Sequence, residues 1–492
     1  MNKRLTPIMG WASWNCFRTN INEEKLKKQA DALISTGLAE CGYTYLNIDD
    51  GFFGGRSDDG NVLFHKERFP NGIKTIADYA HSKGLKAGIY SDGGDCTCAF
   101  YFDNEVESGK NVGLYGHEEE DLKLYLEECG FDFIKVDWCG GIRMGLDERE
   151  QYSKISEIIN KISERTNKSI VYNVCRWQFV GEWVTKIADS WRTGADIQPT
   201  FESVLKQIDS IKPLARYCSP GHVNDLDMMQ LGNGMLEQDE KTHFAMWCMM
   251  STPLIIGCDL TIINQSTLDI LKNKELIAIN QDVACRQAVH AQDIYVDDLK
   301  YGEIWVKDLE NSKSRIKAVA LLNRSDITID ATVSLKELGF KGEIKKIRDL
   351  CNHEEIKPQD QISVILQPHE TIVLKVECEF EFQTFNKYDK NDIVISKPDK
   401  ITIEQVEILR KQGAVLADVR DGAEYEQGHV EGAINIPYYF LHGLALDLIK
   451  DKNTKIIVYC KTGKRSMQAY NDLTYLGYKN IYYLGGVDFR NT

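Results

Sequence analysis

Aspartates recur at the ends of short apolar runs in this chain. Asp49 and Asp50 follow Tyr45-Leu-Asn-Ile, Asp92 follows Gly88-Ile-Tyr-Ser, and Asp137 closes Phe131-Asp-Phe-Ile-Lys-Val. Asp196 lies in Trp191-Arg-Thr-Gly-Ala-Asp-Ile, and Asp225 with Asp227 in Asn224-Asp-Leu-Asp-Met. One aspartate at a strand end is most simply a helix cap. Several converging on one cavity can do acid–base chemistry. Glycoside hydrolysis needs two carboxyl groups flanking the scissile bond, one facing an oxocarbenium-like transition state and one protonating the leaving oxygen. Paired aspartates also bind divalent cations, but the company of Trp11, Trp14, Tyr90, Trp138, Trp177 and Trp191 favours a platform for the apolar face of a sugar. Lys135 stands two residues before Asp137, on the same side of its strand, where it can keep that carboxylate ionised. Arg192 can orient a carboxylate or a sugar hydroxyl. A different chemistry sits near the C-terminus. Cys460 ends an apolar run and opens a loop, Lys461-Thr462-Gly463-Lys464-Arg465, leading into a helix. Backbone N–H groups can converge on its sulfur there, and Lys461, Lys464 and Arg465 add positive field that favours thiolate and persulfide.

The elements that must position these residues alternate in type from Ile8 to about Cys285. Strand-like runs end at Trp14, Asp50, Asp92, Trp138, Trp177, Asp196, Asp227 and Asp259, and helical periodicity fills the gaps: Glu23 to Thr36, Ile73 to Lys83, His117 to Cys129, Glu148 to Arg165 and Phe201 to Ile211. Eight strand–helix repeats predict a (β/α)8 barrel over residues 1–286, with the acidic and aromatic residues gathered at the carboxyl ends of its strands. A doubly wound sheet is the alternative. Residues 287–378 change to short alternating runs without helices and predict an antiparallel β-sandwich. Residues 379–400 read as a charged linker, and 401–492 as a small α/β domain.

Composition narrows the field. A chain of 492 residues is too long for one core, and 43% hydrophobic with 27% charged residues describes a globular protein. A net charge of -15 argues against nucleic acid or an anionic membrane as the main partner. The amino terminus lacks an apolar leader and no run is long enough to span a membrane, so a cytoplasmic location is expected. The fourteen cysteines are scattered, several of them inside apolar patterns, as with Cys218, Cys248 and Cys258. They read as buried thiols rather than a disulfide framework or a metal site, and neither metal nor cofactor is expected. The expected partner is a small-molecule or oligosaccharide substrate, with room for a homo-oligomer and for a sulfur donor or acceptor at the last domain.

Taken together, Met9-Gly-Trp-Ala-Ser-Trp-Asn15, Asn47-Ile-Asp-Asp50, Gly88-Ile-Tyr-Ser-Asp92, Lys135-Val-Asp-Trp-Cys139, Trp191-Arg192 with Ala195-Asp-Ile197, and Asn224-Asp-Leu-Asp-Met228 resemble the successive motifs of glycoside hydrolase family 27. That family holds α-galactosidases and α-N-acetylgalactosaminidases. The resemblance covers about the first 380 residues and implies a retaining mechanism, with Asp137 as nucleophile and Asp196 as general acid and then base. It further implies that Asp49 and Asp50 accept hydrogen bonds from the galactose 4- and 6-hydroxyls, that Trp14 and Tyr90 flank the ring, and that Asp227 holds hydroxyls. Relatives carry Cys-Glu or Cys-Ser after the fifth strand, where the C2 substituent is met; this chain has Cys175-Arg176-Trp177-Gln178. Its loop Phe100 to Lys110 is longer than usual, which changes the leaving-group side. Secreted relatives bridge the positions of Cys98 and Cys139, which a cytoplasmic chain would keep as thiols. The segments Leu416-Ala-Asp-Val-Arg420, Glu424 to Pro437 and Val458 to Arg465 resemble a single-domain rhodanese, with Cys460 as its sulfur carrier. Four residues between Cys460 and Arg465, one fewer than in the related cysteine phosphatases, favour sulfur over phosphate. The expectation is a retaining glycosidase releasing terminal α-D-galactose, fused to a sulfurtransferase of the thiosulfate type. Its alternatives are α-N-acetylgalactosaminidase or another specificity of the family, or a sulfur-transfer or redox-sensing protein with a sugar-binding barrel.

Overall fold

The computed structural model describes residues 5–297, 299–309, 315–380, 400–438 and 441–487. Most of the expected linker, 381–399, lies outside the described residues, as does the side chain of Lys464.

Eight parallel strands form the first sheet: β1 (Met9–Ala12), β2 (Tyr45–Asn47), β3 (Lys86–Asp92), β4 (Phe133–Asp137), β5 (Val171–Val174), β6 (Ser190–Arg192), β7 (Val223–Asp225) and β8 (Leu254–Ile256). They pair in the order β8-β1-β2-β3-β4-β5-β6-β7. The ring closes just past β7, where Met229 bridges to Ile256 in parallel register. Side-chain alternation then fixes what fills the lumen. Ile8, Tyr45, Phe133, Val171 and Ile255 form an apolar floor. Above them comes a polar layer in which the Asn173 amide donates to Ser190 Oγ at 2.8 Å and to Asp225 Oδ2 at 2.7 Å. Gly88 is required at this level, because a Cβ there would stand 2.0 Å from Asn47 Oδ1. The third layer brings Asp49, Asp137 and Asp227 to the carboxyl mouth.

The opposite parity faces the helices. Trp11, Trp138 and Trp191 are fully buried in the layer between sheet and helices. Only Trp14, Tyr90 and Trp177 of the expected sugar platform therefore reach the cavity. The helices lie close to the expected ranges, as Glu23–Ser35, Lys74–Ser82, Glu148–Thr166 and Phe201–Ile211. The helix expected from His117 to Cys129 starts as an α-helix at Glu118–Leu122 and continues as a π-helix through Lys123–Glu128.

The sandwich comprises β9 (Val289–Val296), β10 (Leu299–Asp308), β11 (Ile316–Asn323), β12 (Ile329–Ser334), β13 (Lys341–Asp349), β14 (Glu354–Ile356), β15 (Gln361–Leu366) and β16 (Thr371–Phe380). Six strands in the order β9-β10-β11-β16-β13-β14 face the pair β12-β15. Strand β11 is buried along its whole length because both its faces are covered. Val319 and Leu321 enter the sandwich core, while Ala318, Ala320 and Leu322 pack on the barrel. The same seam holds a charge network: fully buried Glu303 meets Lys212 at 2.6 Å and Arg324 at 2.9 Å, and Arg324 forks onto Asp209. The third domain has a parallel sheet of β17 (Val415–Asp418), β18 (Ile434–Asn435), β19 (Lys455–Cys460) and β20 (Asn480–Gly486), in the order β18-β17-β19-β20. Among the described residues no helix is long and apolar enough to cross a membrane.

Candidate active site

A cavity of about 760 Å³ opens at the carboxyl mouth of the barrel. Asp49, Asp50, Asp137, Asp196 and Asp227 all line it, together with Lys135, Arg192, Trp14, Tyr90 and Trp177. Six of these come directly from strand alternation. Asp49 continues the inward face of β2, Tyr90 lies on that of β3, Lys135 and Asp137 on that of β4, Arg192 on that of β6, and Asp227 extends that of β7.

Asp137 and Asp196 differ sharply in environment. The Asp137 side chain is 6% exposed and that of Asp196 57%. Asp137 Oδ1 accepts the Trp138 N–H at 3.1 Å, and its Oδ2 lies 3.7 Å from Lys135 Nζ, which sits closer, at 2.8 Å, to Asp49 Oδ2. Burial pushes the Asp137 carboxyl up to about 6, with Lys135 pulling against the rise and the charges of Asp196 and Asp49 adding to it. Burial also disfavours the Lys135 ammonium, but Asp49 and Asp137 outweigh it and hold its pKa well above the ordinary lysine range. The result is one anchored, desolvated carboxylate beside a cation, and one open carboxyl group facing solvent. Two carboxyl groups held in contrasting environments can divide nucleophilic and acid–base work between them.

Arg192 ties the second half of the site together. Its guanidinium meets Asp227 Oδ2 at 2.9 Å and Asp196 Oδ1 at 3.1 Å, donates to Gly194 O at 3.1 Å, and lies 3.7 Å from Cys175 Sγ. Asp227 also accepts the Ile197 N–H at 3.0 Å, and it adopts a left-handed backbone at φ 80°. Burial pushes it up to about 6, with Arg192 opposing. Asp50 is placed otherwise: its oxygens accept the N–H groups of Gly51 and Ala99, and burial pushes its carboxyl up to about 7. Asp50 can thus both donate to and accept from a sugar hydroxyl near neutral pH.

The structure corrects several expectations. Asp92 has outward parity on β3 and does not reach the cavity; it accepts the N–H groups of Gly94, Cys139 and Gly140, at 2.7, 2.6 and 3.0 Å, and so fixes the turn after Asp137. Arg176 does not meet the C2 side of the cavity either. It is fully buried on Glu148 at 2.7 Å, with Tyr438 of the third domain close enough to act electrostatically on its guanidinium. Cys175 lies behind the cavity, under Arg192. Cys98 and Cys139, expected as thiols, form a disulfide bordering the cavity. They begin the short helices Cys98–Phe102 and Cys139–Met144, which Asp92 and its loop draw together until the Cα atoms are 5.2 Å apart, inside disulfide range. The other twelve cysteines, all among the described residues, form no disulfide.

Arg18, Phe102, Asp103, Ile142 and Arg143 also line the cavity, and sequence reading missed them. Phe102 and Asp103 fall in the long loop after Cys98, and they are the two of these positions with a sequence signal.

In the third domain, Cys460 ends β19, is fully buried and accepts the Gly463 N–H at 3.1 Å, with Ser466 Oγ at 3.5 Å. Lys461 and Thr462 are exposed. Arg465 forks onto Glu424 at 2.5 and 2.9 Å rather than standing open to the sulfur, so the field expected from it is partly neutralised.

Comparisons with known proteins find three sequence models that match the chain. The sequence model described as alpha galactosidase A matches residues 6–282, that of the alpha galactosidase C-terminal beta sandwich domain 300–376, and that of the rhodanese-like domain 402–488. An alpha-galactosidase of Oryza sativa subsp. japonica is 38% identical over 370 residues, 74% of this chain and 83% of that protein. Alpha-galactosidase A of Cellvibrio japonicus is 34% identical over 395 residues, 75% of this chain and 92% of that one. The crystal structure of alpha-galactosidase I from Mortierella vinacea superposes with a TM-score of 0.69 at 27% identity, over 78% of this chain and 100% of its own.

Proposed function

The chain belongs to the family of alpha galactosidase A, with that family's β-sandwich and a rhodanese-like domain behind its barrel, and we propose that it hydrolyses terminal α-D-galactosides with retention of configuration. The observation that carries this reading is the pairing of buried Asp137, held beside Lys135, with exposed Asp196, held by Arg192, in one cavity. In the first step Asp137 attacks the anomeric carbon while Asp196 gives its proton to the departing oxygen, leaving a glycosyl ester on Asp137. In the second, Asp196 takes a proton from water, which attacks the same carbon and releases galactose and the free carboxylate. Asp49, Asp50 and Asp227 orient ring hydroxyls, and Trp14, Tyr90 and Trp177 cover the ring. The sugar ring itself supplies the electrophile and water the nucleophile of the second step, so this reading gives no role to a metal or cofactor. A cytoplasmic location is part of it: the twelve cysteines that form no disulfide support it, and the Cys98–Cys139 bridge counts against it.

Initial rates on matched aryl α-D-galactoside and aryl α-N-acetylgalactosaminide test the substrate. We expect turnover of the galactoside, with the acetamido sugar slower by at least about tenfold; preference for the acetamido sugar would reassign the enzyme within its family. The acid limb of kcat/KM on the galactoside should fall near pH 6, because Asp137 must be ionised to attack. Lys135→Met removes the cation that opposes the rise and should move that limb upward by about one pH unit. A limb left in place would dissociate it from Asp137.

Sulfur transfer is the second reading, favoured by the Gly463 N–H aimed at Cys460 Sγ where β19 enters the loop. Cys460 would take a sulfane sulfur from a donor such as thiosulfate, releasing sulfite, and pass it to a thiophilic acceptor. Thiosulfate-to-cyanide transfer lost in Cys460→Ser would support it, and no transfer by the unaltered chain would remove it.

A further inference from the structure

The cavity at the barrel mouth is not made by the barrel alone. Asp421, Gly422, Ala423, Glu426 and Pro437 of the rhodanese-like domain line it together with the barrel's carboxylates. The domain is held there by contacts outside the cavity. Lys206 on the barrel helix Phe201–Ile211 pairs with Asp447 at 2.5 Å, and the helix bearing Asp447, Leu441–Leu448, packs against it. Tyr438 also stands close enough to the buried Arg176–Glu148 pair to act electrostatically on the Arg176 guanidinium. Arg176, the residue at which this chain departs from the pattern it resembles, thus feels the appended domain and does not line the cavity.

The lining has a definite chemistry. On the barrel side the Arg18 guanidinium stacks on one face of Trp14 at 4.6 Å and is itself tied to Asp103 at 2.6 Å. The domain contributes the carboxylates of Asp421 and Glu426 with apolar Ala423 and Pro437. Aromatic faces with hydrogen-bond acceptors suit a neutral ring bearing hydroxyl groups, and acidic residues disfavour an anionic one. About 760 Å³ exceeds what a single hexose fills, and lies in the range of pockets that enclose a larger ligand.

We propose that the rhodanese-like domain forms the leaving-group wall of the glycosidase cavity, with Ala423, Asp421 and Glu426 bounding a subsite for a neutral, hydroxyl-rich leaving group such as a second sugar or a polyol. This rests on the galactosidase reading of the same cavity. The test uses the full-length chain and two substrates: α-galactosyl fluoride, whose leaving group is too small to reach the wall, and the disaccharide galactosyl-α-1,6-glucose. In Ala423→Trp, which fills the subsite from an exposed position, the ratio of kcat/KM for disaccharide over fluoride should fall about tenfold or more. In Glu426→Ala the same ratio should fall severalfold, through KM. A ratio unchanged in both variants overturns the proposal. Failure of the unaltered chain to cleave either substrate would instead sink the galactosidase reading on which it stands.

Discussion

Asp137→Asn should lose about four or more orders of magnitude in kcat on an aryl α-galactoside while folding normally. The size follows from covalent catalysis: without the nucleophile no glycosyl ester forms, and a direct attack by water has no base placed on that face of the ring. The side chain keeps its shape, and the amide oxygen can still accept the Trp138 N–H that holds Asp137 Oδ1 at 3.1 Å. Stability should move the other way. The folded carboxyl is raised to about 6 against an ordinary 3.8, so its stabilising contribution is present below the lower value and is lost as pH rises through the upper one. At pH 7.5 the native protein therefore carries a strained buried charge that asparagine removes, and the variant should melt at the same temperature or higher. Residual activity above about one per cent, measured on protein free of wild-type contamination, would take the nucleophile's role from Asp137.

Asp196→Asn should produce a loss of a different shape. An acid–base group acts in both steps, but the first step needs it only in proportion to the basicity of the leaving group. Turnover of an unactivated disaccharide should drop about 10³-fold, whereas a dinitrophenyl galactoside should still acylate Asp137 quickly and then stall. The signature is a low kcat with a lowered KM, and azide, which needs no base, should restore turnover by forming a galactosyl azide. Arg192 keeps its contacts to Asp227 and Gly194 in this variant, so the site stays assembled. Equal losses on good and poor leaving groups, without azide rescue, would point to a positioning role for Asp196.

How much of this was legible in the chain follows from parity and distance. Once Lys135 and Asp137 are set inward on β4, alternation carries Phe133 to the lumen floor and Trp138 to the helix layer. The same rule separates Tyr90 from Asp92 on β3. Counting tryptophans near strand ends, without parity, overstated the sugar platform by including Trp11, Trp138 and Trp191. Other features depend on meetings that no local pattern encodes. Arg176 finds Glu148 across two elements, and Cys98 meets Cys139 because Asp92 accepts the N–H groups after β4. The wall at Ala423 depends on how the third domain docks on Phe201–Ile211, which is set by surface complementarity and charge, not by the periodicity of either segment. The rhodanese loop was readable as a loop, but the fork from Arg465 to Glu424 that diverts its charge was not.

The measurement that bears most directly on the account is mass spectrometry of the enzyme trapped with 5-fluoro-α-D-galactosyl fluoride, followed by peptide mapping. One fluorogalactosyl group on the peptide carrying Asp137, absent from Asp137→Asn, is the predicted result. A label on any other residue, or steady turnover of α-galactosides with no trapped ester, would contradict it.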